Sequence, residues 1–130
     1  MQTPRFISIY QVLNIHQDEI NSFGGTSGIR DEGLLDSALA QAQATFGGEL
    51  LHPTIYDQAA AYLYHLAMNH PFIDGNKRTA FAVMDTFITL NGYSLNLSQE
   101  QAYNLVIQVV QKQISKEELS AFLELHLQRL

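Results

Sequence analysis

Cysteine is absent from the 130-residue sequence, which excludes disulfides, thiolate catalysis and every zinc site that needs a sulfur ligand. That absence fits a reducing compartment, and the expected location is the cytoplasm. Positive charge is scarce: seven Lys and Arg stand against thirteen Asp and Glu, a formal net charge of -6. Non-specific binding of DNA or RNA relies on Lys and Arg at phosphates, so nucleic acid is not expected as a direct partner. A local anion site survives this argument, because backbone amides can act against the global charge. Long apolar runs are also missing. The longest block, Ala80 to Leu90, is broken by Asp85, Thr86 and Thr89, so no membrane span is expected. The opening Met1-Gln2-Thr3-Pro4-Arg5 leads into no apolar stretch and does not read as a signal peptide. No repeat, low-complexity segment or Pro/Ser-rich linker divides the chain, so residues 1-130 are read as a single domain. Nearly half the residues are hydrophobic and 15% are charged, which argues against disorder.

The apolar residues that are present recur mostly at helical spacing. Ile9, Val12, Leu13, Ile15 and Ile20 mark a first helix from Phe6 to Ser22, stopped by the glycine-rich segment Gly24 to Gly28. Asp31 is placed to cap a second helix bearing Leu34, Leu35, Ala38 and Leu39. The segment from Phe46 to Pro53 breaks periodicity, and its Gly47-Gly48 pair permits a loop or a short hairpin. Ala59, Tyr62, Leu63 and Leu66 predict a third helix over 55–69, ending before Pro71. A fourth is expected from Asn76 to the Asn91-Gly92 stop, apolar around most of its circumference and so the central helix of the bundle. Ser98-x-x-Gln101 and Ser115-x-x-Glu118 read as capping boxes for two more, the last carrying Leu119, Phe122, Leu123 and Leu127. The expected fold class is all-α, a bundle of about six helices with little room for sheet.

One segment, His70 to Thr79, concentrates reactive groups where one helix ends and another begins. A helix N-terminus exposes unpaired amides and the positive end of the macrodipole, which makes it a natural phosphate site. Gly75 lets the backbone approach a ligand closely. Lys77 and Arg78 are electrostatically misplaced in a first helical turn unless an anion visits. Asp74 offers a hard carboxylate beside that anion, the usual arrangement for Mg2+ next to a polyphosphate. His70 supplies an imidazole suited to take a proton from a hydroxyl nucleophile.

The run HPFIDGNKRTA, residues 70–80, resembles the active-site motif of the Fic/Doc family, whose common form is His-Pro-Phe-x-(Asp/Glu)-Gly-Asn-(Gly/Lys)-Arg. Tyr10-Gln11-Val12-Leu13, the stretch Phe23 to Leu35, and Ala59-Ala60-x-Tyr62-Leu63 are similar to the Doc, or death-on-curing, branch. The resemblance covers nearly the whole chain. It implies that His70 is the general base, that Asp74 holds Mg2+, that Gly75, Asn76 and Lys77 form the anion hole, and that Arg78 grips nucleotide phosphates. It further implies that Phe46 to Pro53 is the flap that aligns the target segment.

Two positions depart from the adenylylating Fic pattern: Lys77 stands at a second glycine and Phe81 at a second arginine. Both match Doc-type sequences. The implied activity is that of a toxin kinase that binds ATP in reversed orientation and moves its γ-phosphate to a Ser/Thr hydroxyl, on elongation factor Tu, blocking translation. Nucleotidyl transfer, usually of AMP, is the alternative enzyme reading, and a catalytically silent protein-binding module is the alternative outside enzymes. Internally braked family members carry Ser/Thr-x-x-x-Glu-Gly/Asn. Here Glu32-Gly33 is preceded by Gly28 at the first position, so inhibition is expected in trans from an antitoxin that covers the cleft near His70 and the flap from Phe46 to Pro53, in an exposed apolar groove rimmed by His52 and Lys77. The remaining histidines carry less weight. His16 and His126 read as surface residues, His65 as a buried support or a partner behind the site, and His52 as a flap residue. Arg30-Asp31 reads as an ion pair or cap.

Overall fold

The computed structural model describes residues 3–130; Met1 and Gln2, the first residues of the N-terminal reading above, lie outside the described residues. Among the described residues, six helices and four very short strands follow in the order α1 (Ile9–Phe23), α2 (Glu32–Ala42), β1 (Thr45–Phe46), β2 (Glu49–Leu50), α3 (Ile55–Asn69), α4 (Asn76–Leu90), β3 (Tyr93–Leu95), α5 (Gln99–Val110), α6 (Lys116–His126) and β4 (Leu127–Arg129). The all-α class holds. Among the described residues no helix is long and apolar enough to cross a membrane.

Helix starts follow the caps written in the sequence. Asp31 accepts the Leu34 amide at the head of α2, and Thr54 accepts the Asp57 amide at the head of α3. Ser98 with Gln101 and Ser115 with Glu118 close the expected capping boxes. A third box, Ser8 with Gln11, starts α1 at Ile9, three residues after the expected start at Phe6. Phe6 and Ile7 still pack on the core, but from extended chain ahead of the cap.

Packing shares the centre differently from the expectation that gave it to α4 alone. α3 packs against α2, α4, α5 and α6, and buries every residue from Gln58 to Leu63. Ala59, Ala60 and Ala61 are all fully buried, and their small side chains let neighbouring helices approach on several sides. α4 lies beside it and buries Ala80, Val83, Met84, Phe87 and Ile88. α1 contributes the stripe Val12, His16 and Ile20, spaced four apart on one face.

The segment after α2 resolves into a hairpin. Thr45 pairs with Leu50 and Phe46 with Glu49, and the turn glycines have φ of 62° and 84°. Two consecutive positive φ values are what a two-residue hairpin turn requires. Its tip projects, with Phe46 84% exposed, while His52 at its base is buried and its carbonyl accepts from Gln58 Nε2. A second small sheet was not expected: Tyr93, Ser94 and Leu95 pair with Arg129, Gln128 and Leu127. Leu127 therefore belongs to β4 and not to the last helix.

Candidate active site

α3 ends at His70, whose backbone is left-handed (φ 51°, ψ 54°). A non-glycine residue in that region costs about 1–3 kcal/mol and persists only where surrounding contacts over-determine it. Those contacts come from the segment between α1 and α2. Arg30 Nε donates to the His70 carbonyl at 2.7 Å, and Nη2 donates to Asn69 O at 2.9 Å. The amides of Arg30 and Asp31 both donate to Pro71 O, and the Ile73 amide donates to Gly28 O. Asn69 Nδ2 reaches Leu34 O at 2.9 Å. Arg30 thus caps the carbonyl end of α3, where a cation also suits the helix dipole. The cap half of the Arg30-Asp31 reading is what the structure contains.

Beyond Pro71 the loop folds over Asn76. Its side chain accepts the Phe72 amide (2.8 Å) and donates to Phe72 O (2.9 Å). Asn76 is buried and its side-chain oxygen and nitrogen are each engaged with Phe72, so its main-chain N–H is the group at the helix head that can face an anion. Gly75 is left-handed at φ 74°, and no side chain caps α4. The first bond of α4 runs from Thr79 N–H to Gly75 O at 3.0 Å. The amides of Asn76, Lys77 and Arg78 lie ahead of it, where a helix provides no internal partner.

Asp74 is exposed. Its Oδ2 accepts the Thr26 amide at 3.1 Å and its Oδ1 the Gly75 amide at 2.9 Å. These two amides hold its carboxyl below the usual carboxylate range. Each oxygen keeps a lone pair that no protein donor uses. Gly25 makes room for this arrangement: a Cβ there would stand 2.8 Å from Asp74 Oδ2. Among the described residues no group of three His, Asp or Glu is placed to hold a metal ion. A single carboxylate beside an open helix N-terminus fits Mg2+, which retains water and takes its other ligands from phosphates.

The two cations differ. Lys77 is exposed. Arg78 is exposed but anchored: Nη2 donates to Gly24 O at 2.9 Å, and the guanidinium lies 5.3 Å from the Phe23 ring centre. Glu19 on α1 lies within reach of its charge; burial pushes the Glu19 carboxyl up and Arg78 draws it back. Phe81 is half-buried and packs on the core. Ile29 and Ile73 line the same region as partly exposed apolar side chains.

His16 was expected at the surface and is instead 4% exposed. Its ring stacks on Phe72 with centroids 3.8 Å apart and planes 6° apart, and Nε2 lies 2.9 Å from Asp74 O. The signal available in the sequence was its place between Val12 and Ile20 at a spacing of four. His126 is half-buried, with Nδ1 2.8 Å from Phe122 O and its ring stacked on Phe122. His52 and His65 gather near Lys116 of α6, and His52 is buried there, so it does not form the exposed groove rim expected of it.

The Fic/DOC family profile matches residues 6–88. The chain is 41% identical over 102 residues to the protein named Toxin Doc from Mycolicibacterium smegmatis, covering 77% of this chain and 78% of that one. It is 32% identical over 98 residues to Protein kinase doc of Escherichia phage P1, covering 75% and 77%. This chain belongs to the Fic/DOC family.

Proposed function

We propose that this chain is a Doc-type toxin, a single-domain enzyme that moves the γ-phosphate of ATP to a Ser or Thr hydroxyl of a target protein. The observation that carries this reading is the uncapped head of α4, where Gly75 is left-handed and Asp74, Lys77 and Arg78 are exposed around open amides. His70 stands at the other end of the same loop, on a backbone held by Arg30. The amides of Asn76, Lys77 and Arg78 would bind phosphate oxygens, with the side chains of Lys77 and Arg78 adding charge. Asp74 would hold Mg2+, which supplies charge neutralisation at the phosphate oxygens. His70 would take the hydroxyl proton as the new O–P bond forms, while the bond from the γ-phosphorus to its bridging oxygen breaks and ADP leaves.

The names of the relatives, a toxin and a protein kinase, support transfer of the γ-phosphate over nucleotidyl transfer. Lys77 in place of a glycine and the core-packed Phe81 in place of an arginine favour the same choice. The target is elongation factor Tu by resemblance, which would make translation the process blocked. A toxin of this kind implies an antitoxin supplied in trans, and the exposed apolar side chains of Phe23, under the Arg78 guanidinium, and of Ile29 and Ile73, on two segments that meet at the loop, suit a segment that folds on binding. ATP labelled at either the γ- or the α-phosphate tests the reaction on elongation factor Tu. Label from the γ position should reach the target and should be lost in His70→Ala, whose melting temperature should stay near that of the parent. Label from the α position would replace this reading with nucleotidyl transfer. Equal labelling by His70→Ala would remove His70 as the base.

A further inference from the structure

A carbonyl oxygen only accepts, so the 2.9 Å contact between His16 Nε2 and Asp74 O places the ring proton on Nε2. The accepting carbonyl is an unusual one. In a helix that continued backwards by one residue, Asp74 O would take the Arg78 amide. Here the left-handed Gly75 turns it off the α4 axis, and α4 starts with the Thr79-to-Gly75 bond instead. The carbonyl is partly buried, and the space beside the next residue is tight: a Cβ on Gly75 would stand 3.1 Å from Ile20 Cδ1 and 3.8 Å from both His16 Nε2 and Arg78 Nη2. Left without a donor there, the carbonyl would lose a hydrogen bond at a cost in free energy. The nearest repair is rotation back toward the Arg78 amide. That would extend α4 and close one of the amides that open toward an anion.

We infer that His16 is a positioning residue whose Nε2–H holds the Asp74 carbonyl outside α4 and so keeps the head of that helix open for phosphate; this rests on the nucleotide site proposed above. The ring has two functions at once. Its face lies on Phe72, the residue whose amide and carbonyl are clasped by Asn76, and its edge carries the donor. One side chain from α1 therefore fixes both the loop and the peptide that carries the Asp74 carboxylate. An aromatic hydrocarbon could replace only the face, and an amide only the edge.

The test uses the full chain with His16→Phe, which keeps the stack and removes the donor, and His16→Gln, which restores a donor. Each is titrated calorimetrically with magnesium and a non-hydrolysable ATP analogue, and hydrogen exchange is read at the Arg78 amide. His16→Phe should bind about tenfold more weakly, the worth of about one hydrogen bond, and its Arg78 amide should become protected. His16→Gln should recover most of the affinity and leave that amide unprotected. In the parent chain, nitrogen NMR of His16 should find the Nε2–H tautomer. The Nδ1–H tautomer would overturn the inference, even if both variants failed to fold. So would unchanged affinity in folded His16→Phe, or equal losses in the two variants. A parent chain that binds no nucleotide at all would overturn the site reading and this inference with it.

Discussion

Acid should destabilise this fold through His65, which lies one helical turn and a residue before His70 on α3. His65 is half-buried, with Nε2 3.1 Å from Lys116 Nζ on α6 and its ring edge-on to Tyr64. An ammonium only donates, so Nε2 must be the acceptor and the neutral ring carries its proton on Nδ1. Burial, then the charges of Lys116 and His52, bring the His65 pKa from 6.5 down to about 4. The fold favours the neutral form, so between those two values the unfolded chain binds more protons. Stability is therefore retained above 6.5, falls as the pH drops, and reaches its full loss below about 4. At about 1.4 kcal/mol per unit the whole window is worth at most about 3 kcal/mol, and solvent screening of this half-buried ring reduces the loss near pH 5 to about 1 kcal/mol. For a chain of this length that corresponds to roughly 4 °C in melting temperature. His52 shifts in the same direction, first through burial and then through Lys116, and it would continue to titrate when His65 is replaced. The assay is urea unfolding of the parent and His65→Gln across this range; glutamine keeps an acceptor for Lys116 and has no proton to gain. The parent curve should fall away from that of the variant by about 1 kcal/mol near pH 5. Parallel curves would refute the assignment of the acid sensitivity to His65.

Substitutions at three positions test the supports of the site and core. Gly25→Ala puts a methyl 2.8 Å from Asp74 Oδ2 and 3.0 Å from Ile20 Cδ1, at φ +120°. It should lower the melting temperature and raise the magnesium needed for half-maximal transfer; a variant matching the parent in both would show that Asp74 is not held by this packing. Arg30→Ala removes two bonds to the carbonyl end of α3 and should cost about 1 kcal/mol in denaturant unfolding, since water can reach these exposed groups. Arg30→Lys should fail to restore the loss, because an ammonium lacks the fork that spans two carbonyls. Tyr62→Phe leaves the Ile7 amide, now 2.9 Å from the Tyr62 hydroxyl, without a partner in the core. It should cost about 1–3 kcal/mol by the same assay.

The sequence by itself determined features whose causes lie within a few residues. Helices α2, α5 and α6 were legible because a cap and an apolar period sit together, as in Asp31 with Leu34 or Ser115 with Glu118, and α3 and α4 because an apolar period ends at a stop signal. The loop from His70 to Arg78 was legible because its residue types are costly together without a ligand, and because they match a known family motif. The tertiary structure decided what depends on distant partners. β3 and β4 are three residues each, too short to show a period, and exist through pairing across the chain. The grip of Arg30 on His70 and the burial of His16 against Phe72 join residues that no local pattern connects. A lone histidine on a helix has the same sequence appearance whether water or an aromatic ring lies beside it. Only the packing of α1 over the α3–α4 loop supplies the ring and the carbonyl that give His16 its place.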